Sequence, residues 1–325
     1  MIPTISLLIA SFLLSLLLVF LIIQNFSKQL LDIPNDRSSH VNPTPRGGGL
    51  GFVIAFTIGI IVIALLPVLP IKSDIFLPLI LLPLTIIGFL DDRYNLPSRL
   101  RYGVQLAVAV FAVIRYGIFP LPFNNLGLAG IIIATILTVI GFTALINFYN
   151  FMDGLDGIVA GVCVVQFSFL AIYLQQYQWL ILVSTLLGFL YWNWSPAKIF
   201  MGDVGSTFLG GAIAIVLLQN TDNINLSWSA IFITLPLVGD AIYTIFCRLI
   251  RKENIFEAHR THIYQRLQQS GWSHQAVAST YILTTIVIAG LIYSFDIYGS
   301  LLSLLLTIIL IALSENYLKL KVNYQ

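Results

Sequence analysis

The sequence predicts an all-α integral membrane protein with about eleven transmembrane helices, and three features carry that prediction. Of its 325 residues 58% are hydrophobic and 9% charged. Soluble chains carry about 25% charged residues, so this one has too little polar surface to coat a globule in water. The mean hydropathy is +0.94, and the apolar residues fall in runs that can cross a bilayer, which takes about 20 residues each. Nearly all the basic residues fall between alternate runs. The alternating strand pattern of a membrane barrel is absent, and one polytopic domain is expected to fill residues 1–325.

The first apolar run, Ile2 to Ile23, is longer than the apolar part of a secretory leader. No basic residue precedes it and no small-residue cleavage site follows, so it is expected to stay as the first span, near 3–24. Further spans are expected near 49–68, 75–90, 102–119, 129–148, 157–175, 178–194, 206–219, 228–249, 277–294 and 297–314. Pro236 and Gly239 mark a kink inside the ninth. The polar stretch Arg248 to Ser273 is long enough for a short amphipathic helix on the membrane surface. Cys163 and Cys247 sit in apolar runs, too few for a disulfide framework and without metal-type spacing.

If the N-terminus is outside, every Lys and Arg except Lys72 and Arg115 lies on the inner side. The excess of basic residues in cytoplasmic loops therefore orients the chain with its N-terminus outside and its C-terminus cytoplasmic. The cytoplasmic loops are expected near 25–48, 91–101, 149–156, 195–205 and 250–276. They hold Asp32, Asp36, Asp91, Asp92, Asp153, Asp156, Asp203, Glu253, Glu257 and all four histidines. The outer loops are short and nearly bare. One face of the molecule does chemistry or recognition, and the other turns the chain around.

On the inner face the polar residues cluster. In NFYNFMDGLDG, residues Asn147, Asn150, Asp153 and Asp156 recur every third position, so neighbours share one slowly rotating ridge. A capped loop would explain one such residue more readily than four in register at a membrane edge, where ionisable groups are costly. Asp91 and Asp92 leave the third span together. Adjacent carboxylates need a cation or a proton between them, although a solvated loop beside Arg93 and Arg99 would also accommodate them. Asp203 stands between two glycines in MGDVGS, before the eighth span. A glycine-rich helix start suits an anion, and an Asp there repels one unless it holds a metal; a plain N-cap by Asp203 or Ser206 is the alternative. His259, Arg260, His262 and Arg266 form a basic cluster without zinc spacing. It suits phosphate contact, or else a basic membrane-surface segment. The loop Asp32 to Phe52 is rich in Pro and Gly; its GGGLG follows no strand and is not read as a dinucleotide loop. Asp240, inside the ninth span, either faces the site or pairs with a neighbouring span.

Carboxylates in several inner segments, with Arg and His beside them, describe a polyanion site served by a divalent cation. The cation turns repelling carboxylates into ligands and neutralises phosphate charge. Phosphoryl transfer needs mainly positioning and electrostatics. A site at the membrane rim can meet a soluble nucleotide from one side and a lipid from the other.

Five motifs, in this order, carry a specific resemblance: PTPRGGG (Pro43 to Gly49), FLDD (Phe89 to Asp92), NFYNFMDGLDG (Asn147 to Gly157), NWSPAKIFMGDVGS (Asn193 to Ser206) and AHRTHIYQRL (Ala258 to Leu267). Together the chain resembles the polyprenyl-phosphate N-acetylhexosamine-1-phosphate transferases of glycosyltransferase family 4. The resemblance implies a Mg²⁺-dependent enzyme (Mn²⁺ could replace it) that moves N-acetylhexosamine-1-phosphate from a UDP-sugar to undecaprenyl phosphate and releases UMP. It implies a catalytic set of Asp91, Asp92, Asp203 and His259, with Asp203 and Asp92 at the metal. It implies substrate-binding roles for His40, Arg46, Arg260 and His262, at the phosphates or the sugar, and for Asn150, Asp153, Asp156 and Asn193, which would hold the uridine end or organise the site. A phosphate oxygen is already ionised at neutral pH, so Asp91 has little to do as a base. The muramoyl-pentapeptide branch carries consecutive histidines, and AHRTHIYQRL does not. That departure looks more like the branch that starts O-antigen or capsule chains, with UDP-GlcNAc, UDP-GalNAc or a deoxy relative such as UDP-FucNAc as donor. The expected place is a bacterial inner membrane with the site on the cytoplasmic face, nucleic acid is not a partner, and a homodimer stays open. The rival reading is a transporter for a phosphorylated or nucleotide-linked solute. Transporters place ionisable groups near the bilayer midplane in repeated, broken helices, and only Asp240 qualifies here. A non-catalytic scaffold would not need the clustered carboxylates.

Overall fold

The computed structural model describes residues 2–26, 30–34, 42–66, 71, 73–123, 126–219, 223–255, 257 and 259–323. Among these run twelve α-helices and one two-stranded ladder of two-residue strands. The first eight predicted spans coincide with α1 (Ile2–Phe26), α2 (Gly49–Leu65), α3 (Phe76–Tyr94), α4 (Ser98–Tyr116), α5 (Gly127–Phe151), α6 (Ile158–Tyr173), α7 (Trp179–Asn193) and α8 (Asp203–Leu218). Strands β1 (Leu31–Asp32) and β2 (Thr44–Pro45) pair antiparallel before α2. Four stretches are long and apolar enough to cross a membrane: Thr4–Asn25, Gly127–Phe151, Ile224–Ile250 and His274–Lys321. Four shorter apolar helices, α2, α6, α7 and α8, accompany them. The chain is thus an all-α membrane protein, with large apolar side chains of α1, α5 and the C-terminal helix facing outward, as lipid contact requires.

Helix α8 lies at the centre. Every residue from Val204 to Leu218 is buried, as expected of a helix apolar on all sides. Its small residues let neighbouring backbones close in, the usual basis of helix packing in lipid. A Cβ on Gly210 would stand 2.6 Å from Cα of Ile146 in α5. Helices α2 and α3 pack on other sides of α8.

The predicted kink of the ninth span falls slightly earlier than Pro236 and Gly239. The span divides into α9 (Ile224–Ile231), a 3-10 turn (Phe232–Thr234) and α10 (Leu235–Ile250). Proline has no N–H, so it leaves the carbonyl one turn before it without a partner and fits best in a first helical turn. Gln166 of α6 donates Nε2 to the Ile233 carbonyl at 3.1 Å and accepts from Tyr149 Oη at 2.7 Å, which satisfies the broken backbone inside the bundle.

Of the predicted surface helix only α11 (Ile263–Gln269) forms. The last two spans are the two arms of α12 (His274–Asn323), interrupted at Asp296 with φ 47° and ψ −120°. The chain reverses there: Trp272 Nε1, just before the first arm, donates to Tyr317 Oη near the end of the second at 3.0 Å. Arg266 of α11 and Glu315 are also paired.

Candidate active site

Most of the predicted polar residues meet at one end of the bundle, built around the N-terminus of α8. Asp91 and Asp92 occupy the last turn of α3, and Asn95 closes that helix in the left-handed conformation (φ 48°). The short turn through Pro97 brings α4 back beside α3. Leu96 N–H donates to Asp91 Oδ1 at 2.6 Å, and Arg101 of α4 donates Nη1 to Asp91 Oδ2 at 2.5 Å. The same Nη1 reaches Asp203 Oδ2 at 3.1 Å. Arg101 therefore bridges two carboxylates from helices far apart in sequence.

Asp92 faces the other way. Its Oδ1 accepts the Asp203 N–H at 2.9 Å and its Oδ2 accepts the Val204 N–H at 3.2 Å. It caps α8 from a different helix, satisfying N–H groups that a helix start leaves free. Gly202 (φ 75°) precedes α8, and a Cβ there would collide with the Asp92 carboxylate. Asn150, in the last turn of α5, donates Nδ2 to Ser206 Oγ at 3.0 Å.

The segment before α2 is strapped onto the same place. Phe200 N–H donates to Pro45 O at 2.8 Å, Gly48 N–H to Phe200 O at 3.0 Å and Gly49 N–H to Met201 O at 2.9 Å. A Cβ on Gly49 would stand 2.5 Å from Cα of Gly205, so the GGG run serves backbone contact. Arg46 at the end of this strap pairs with Asp32 at 2.6 Å. The charges of Asp92 and Asp203 act on it too, and with Asp32 they outweigh burial and hold its pKa above the ordinary value.

Asn193 and Asp156, two of the residues expected to hold the uridine end or organise the site, make internal contacts. Asn193 is buried, accepts the Gly157 N–H at 3.0 Å and donates to Ile199 O at 3.0 Å. Asp156 accepts the Ala197 N–H at 3.2 Å and lies 3.2 Å from His274 Nδ1. Burial pushes the Asp156 carboxyl up, but His274, Ala197 and Ser195 more than offset it and hold the group below the ordinary range.

Asp153 differs from its neighbours. Among the described residues its carboxylate has no hydrogen-bond or ion-pair partner, while its N–H donates to Asn150 O at 3.2 Å. Burial, and then the negative charges of Asp203, Asp92 and Asp156, push its pKa well above the ordinary carboxylate value. Among the described residues no three His, Cys, Asp or Glu side chains converge as a ready cage. That is compatible with Mg²⁺, which binds through one or two carboxylates and leaves its other positions to water and phosphate oxygens. The donor set is oxygen-only and fits such an ion.

The predicted basic cluster lies beside this centre. His262 precedes α11 and is buried; its ring is 4.9 Å from that of His259 and 6.4 Å from that of Phe151. His259 Nδ1 lies 2.9 Å from Thr261 Oγ1. Burial, then the charges of His262 and Arg248, lower the His259 pKa to about 4, so it is a neutral imidazole at pH 7. Tyr264 donates Oη to Phe151 O at 3.0 Å, and Gly154 leaves room for its ring. Arg260 flanks this pair, its backbone carbonyl accepting from Gln269 Nε2 at 3.2 Å. His40 lies outside the described residues. Asn147 belongs to the α4–α5 contact, donating to Gln105 Oε1 at 2.8 Å. In the sequence Arg101 reads only as an inner charge and Ser206 only as a possible N-cap, and Tyr264 and His274 are not singled out as site partners. The turn signal Asn95-Leu96-Pro97, which folds α4 back on α3, is the clue that would have found Arg101.

Between α5, α8 and α10 lies an apolar cavity of about 400 Å³, lined by Leu145, Phe148, Leu217, Phe232, Leu235 and Val238 among others. Leu145 and Phe148 are on the same helix as Asn150, five and two residues before it.

A carboxylate and guanidinium centre at the lip of an apolar bundle marks a polytopic membrane protein with a charged site at one end. The chain belongs to glycosyl transferase family 4, whose model matches residues 75–221, and it is a transferase. It is 31% identical to a probable undecaprenyl-phosphate N-acetylglucosaminyl 1-phosphate transferase of Bacillus subtilis, over 82% of this chain and 79% of that protein. It is 30% identical to a phospho-N-acetylmuramoyl-pentapeptide-transferase of Staphylococcus carnosus, over 86% of this chain and 95% of that protein. A third relative, 29% identical over 73% of this chain and 74% of its own length, is an undecaprenyl-phosphate alpha-N-acetylglucosaminyl 1-phosphate transferase of Thermotoga maritima.

Proposed function

We propose that the protein transfers N-acetylhexosamine-1-phosphate from a UDP-sugar to undecaprenyl phosphate, at the cytoplasmic face of a bacterial inner membrane, in the first membrane step of a surface polysaccharide such as O-antigen. The observation that carries the reading is the Asp91–Arg101–Asp203 bridge beside the unpartnered Asp153 carboxylate. The family supports the reaction type. Two of the relatives are named for N-acetylglucosaminyl 1-phosphate transfer, which favours UDP-GlcNAc as the donor. The basic residues of the loops orient the chain N-terminus outside, C-terminus inside, with eleven spans.

An oxygen of the lipid phosphate attacks the phosphorus that carries the sugar. A new P–O bond forms, the bridging P–O bond to UMP breaks, and UMP leaves with that electron pair. One phosphoanhydride replaces another. The lipid phosphate is ionised at neutral pH, so no base is required. Arg46 and Arg101 lie where phosphate charge has to be neutralised, and in the transfer the guanidinium of Arg101 exchanges carboxylate for phosphate contact. Asp153 and Asp203, with Asn150 beside them, would hold Mg²⁺, which supplies charge neutralisation of the phosphates when bound. Asp92 keeps the start of α8 in place, and His259, being neutral, hydrogen-bonds rather than pairs with charge. Asn193 and Asp156 act on substrate through the loops they brace. The apolar cavity beside α10 takes the phosphate-proximal part of the isoprenoid chain.

The test is transfer of label from a panel of sugar-labelled UDP-N-acetylhexosamines into undecaprenyl lipid, in membranes lacking other enzymes of this kind, with Mg²⁺ and with EDTA. Mg²⁺-dependent labelled lipid with UMP release from one donor is the expected result. No labelled lipid from any donor, with folded protein present, would overturn the reading.

A further inference from the structure

We infer that Asp240, deep in α10, is a positioning residue for the transfer: it sets the origin of α11 and, through it, the His259–His262 pair and Tyr264. This rests on the transferase reading above.

Asp240 is 3% exposed and lies inside the Ile224–Ile250 membrane stretch. A carboxylate there is costly unless its lone pairs are answered. They are answered mostly from other elements. Ile263 N–H donates to Oδ1 at 2.9 Å and Tyr264 N–H to Oδ2 at 3.1 Å; these are the first two residues of α11. Tyr281 of α12 donates Oη at 2.7 Å, and Thr244 donates Oγ1 at 3.0 Å from one turn further along α10. His262 Nδ1 stands 3.5 Å from Oδ1.

A helix of seven residues does not hold itself together in isolation. The carboxylate fixes where it begins. That placement has two consequences at the active end. It puts the His262 ring against His259 and Phe151, and a carboxylate beside an imidazole sets ring orientation and tautomer. It also sets Tyr264, which donates to Phe151 O, next to Asn150 and two residues before Asp153. The path runs from Asp240 through α11 to the end of α5. An apolar side chain at 240 would leave the Ile263 and Tyr264 N–H groups without this acceptor, and it could not orient the His262 imidazole as a facing carboxylate does.

Wild type, Asp240→Asn, Tyr281→Phe and Gln166→Leu are purified in detergent. Each is measured for kcat, for donor KM, for melting temperature and for amide hydrogen exchange over residues 262–269. Asp240→Asn is expected to lower kcat by roughly 10–100-fold, the range for loss of a group that orients a functional side chain. Its donor KM should stay within about threefold, and exchange over 262–269 should speed up. Tyr281→Phe keeps the carboxylate and both α11 contacts, so its kcat should stay within about threefold of wild type. Gln166→Leu loosens the buried link between α5, α6 and the 3-10 turn, and should lower the melting temperature while the folded fraction keeps its kcat. Asp240→Asn behaving like Gln166→Leu, with kcat per folded molecule unchanged, overturns the proposal. If the wild type itself transfers nothing, the transferase reading falls; unchanged exchange over 262–269 in Asp240→Asn then separately overturns the anchoring.

Discussion

Asp153 and Asp156 are three residues apart and illustrate opposite uses of one side chain. Asp156 is held by His274 and the Ala197 N–H, whereas Asp153 lies near the carboxylates of Asp203, Asp92 and Asp156 and has no hydrogen-bond or ion-pair partner among the described residues. Asp153→Asn should therefore leave the melting temperature at or above that of wild type while reducing transfer roughly 100-fold or more, as removal of a group that meets developing charge does. A variant both less stable and fully active would contradict that assignment. Asp203→Asn should lose transfer to a similar extent and still reach the membrane, checked by activity and membrane content together. For Asp156 the sign is that of a depressed carboxyl pKa. Its stabilisation is present above the unfolded value of about 3.9 and is lost as pH falls through the lower folded value. The melting advantage of wild type over Asp156→Asn should thus shrink as pH falls below about 4; an advantage that keeps growing below that pH would refute it.

At the scale of elements, the start of α8 is where the molecule is least tolerant. It meets the strap before α2, the end of α3 and the end of α5 at once, and glycine backbones make the contacts. Gly49→Val should push α2 from α8, with a cost of about 1–3 kcal/mol from overpacking. Melting temperature and transfer should fall together, unlike in Asp153→Asn. The spans, the end-of-helix carboxylates and the reversal near residue 296 were legible in the sequence because they are local: an apolar run, a polar register, a polar break between two runs. The capping of α8 by Asp92 and the anchoring of α11 by Asp240 were not. Both join residues whose spacing along the chain, 111 residues in one case and 23 in the other, has no periodicity to reveal it. For the same reason the sequence leaves open whether Asn193 holds substrate or organises the site, and its contacts with Gly157 and Ile199 are visible only in the fold.

For the whole molecule the charge distribution predicts which end faces the cytoplasm. Ion pairs occur at both ends of the bundle, but Asp74 with Arg115, at 3.4 Å, marks the end opposite the carboxylate centre. With Cys163 and Cys247 replaced by Ser, a single cysteine at Gly117 should react with a membrane-impermeant maleimide on intact cells. One at Lys198 should react only after the membrane is opened. Equal labelling of both in intact cells would reverse the proposed orientation.

The return of the chain at Asp296 gives the two termini unequal standing. Helix α1 is fixed by packing against α2 and α7. The carboxyl end comes back to the helix that carries Tyr264, through Arg266 with Glu315, Trp272 with Tyr317, and Lys321 with the Ser270 carbonyl. A load on the second arm would therefore reach α11 first through these three contacts, whereas a load on α1 would be met by α2 and α7.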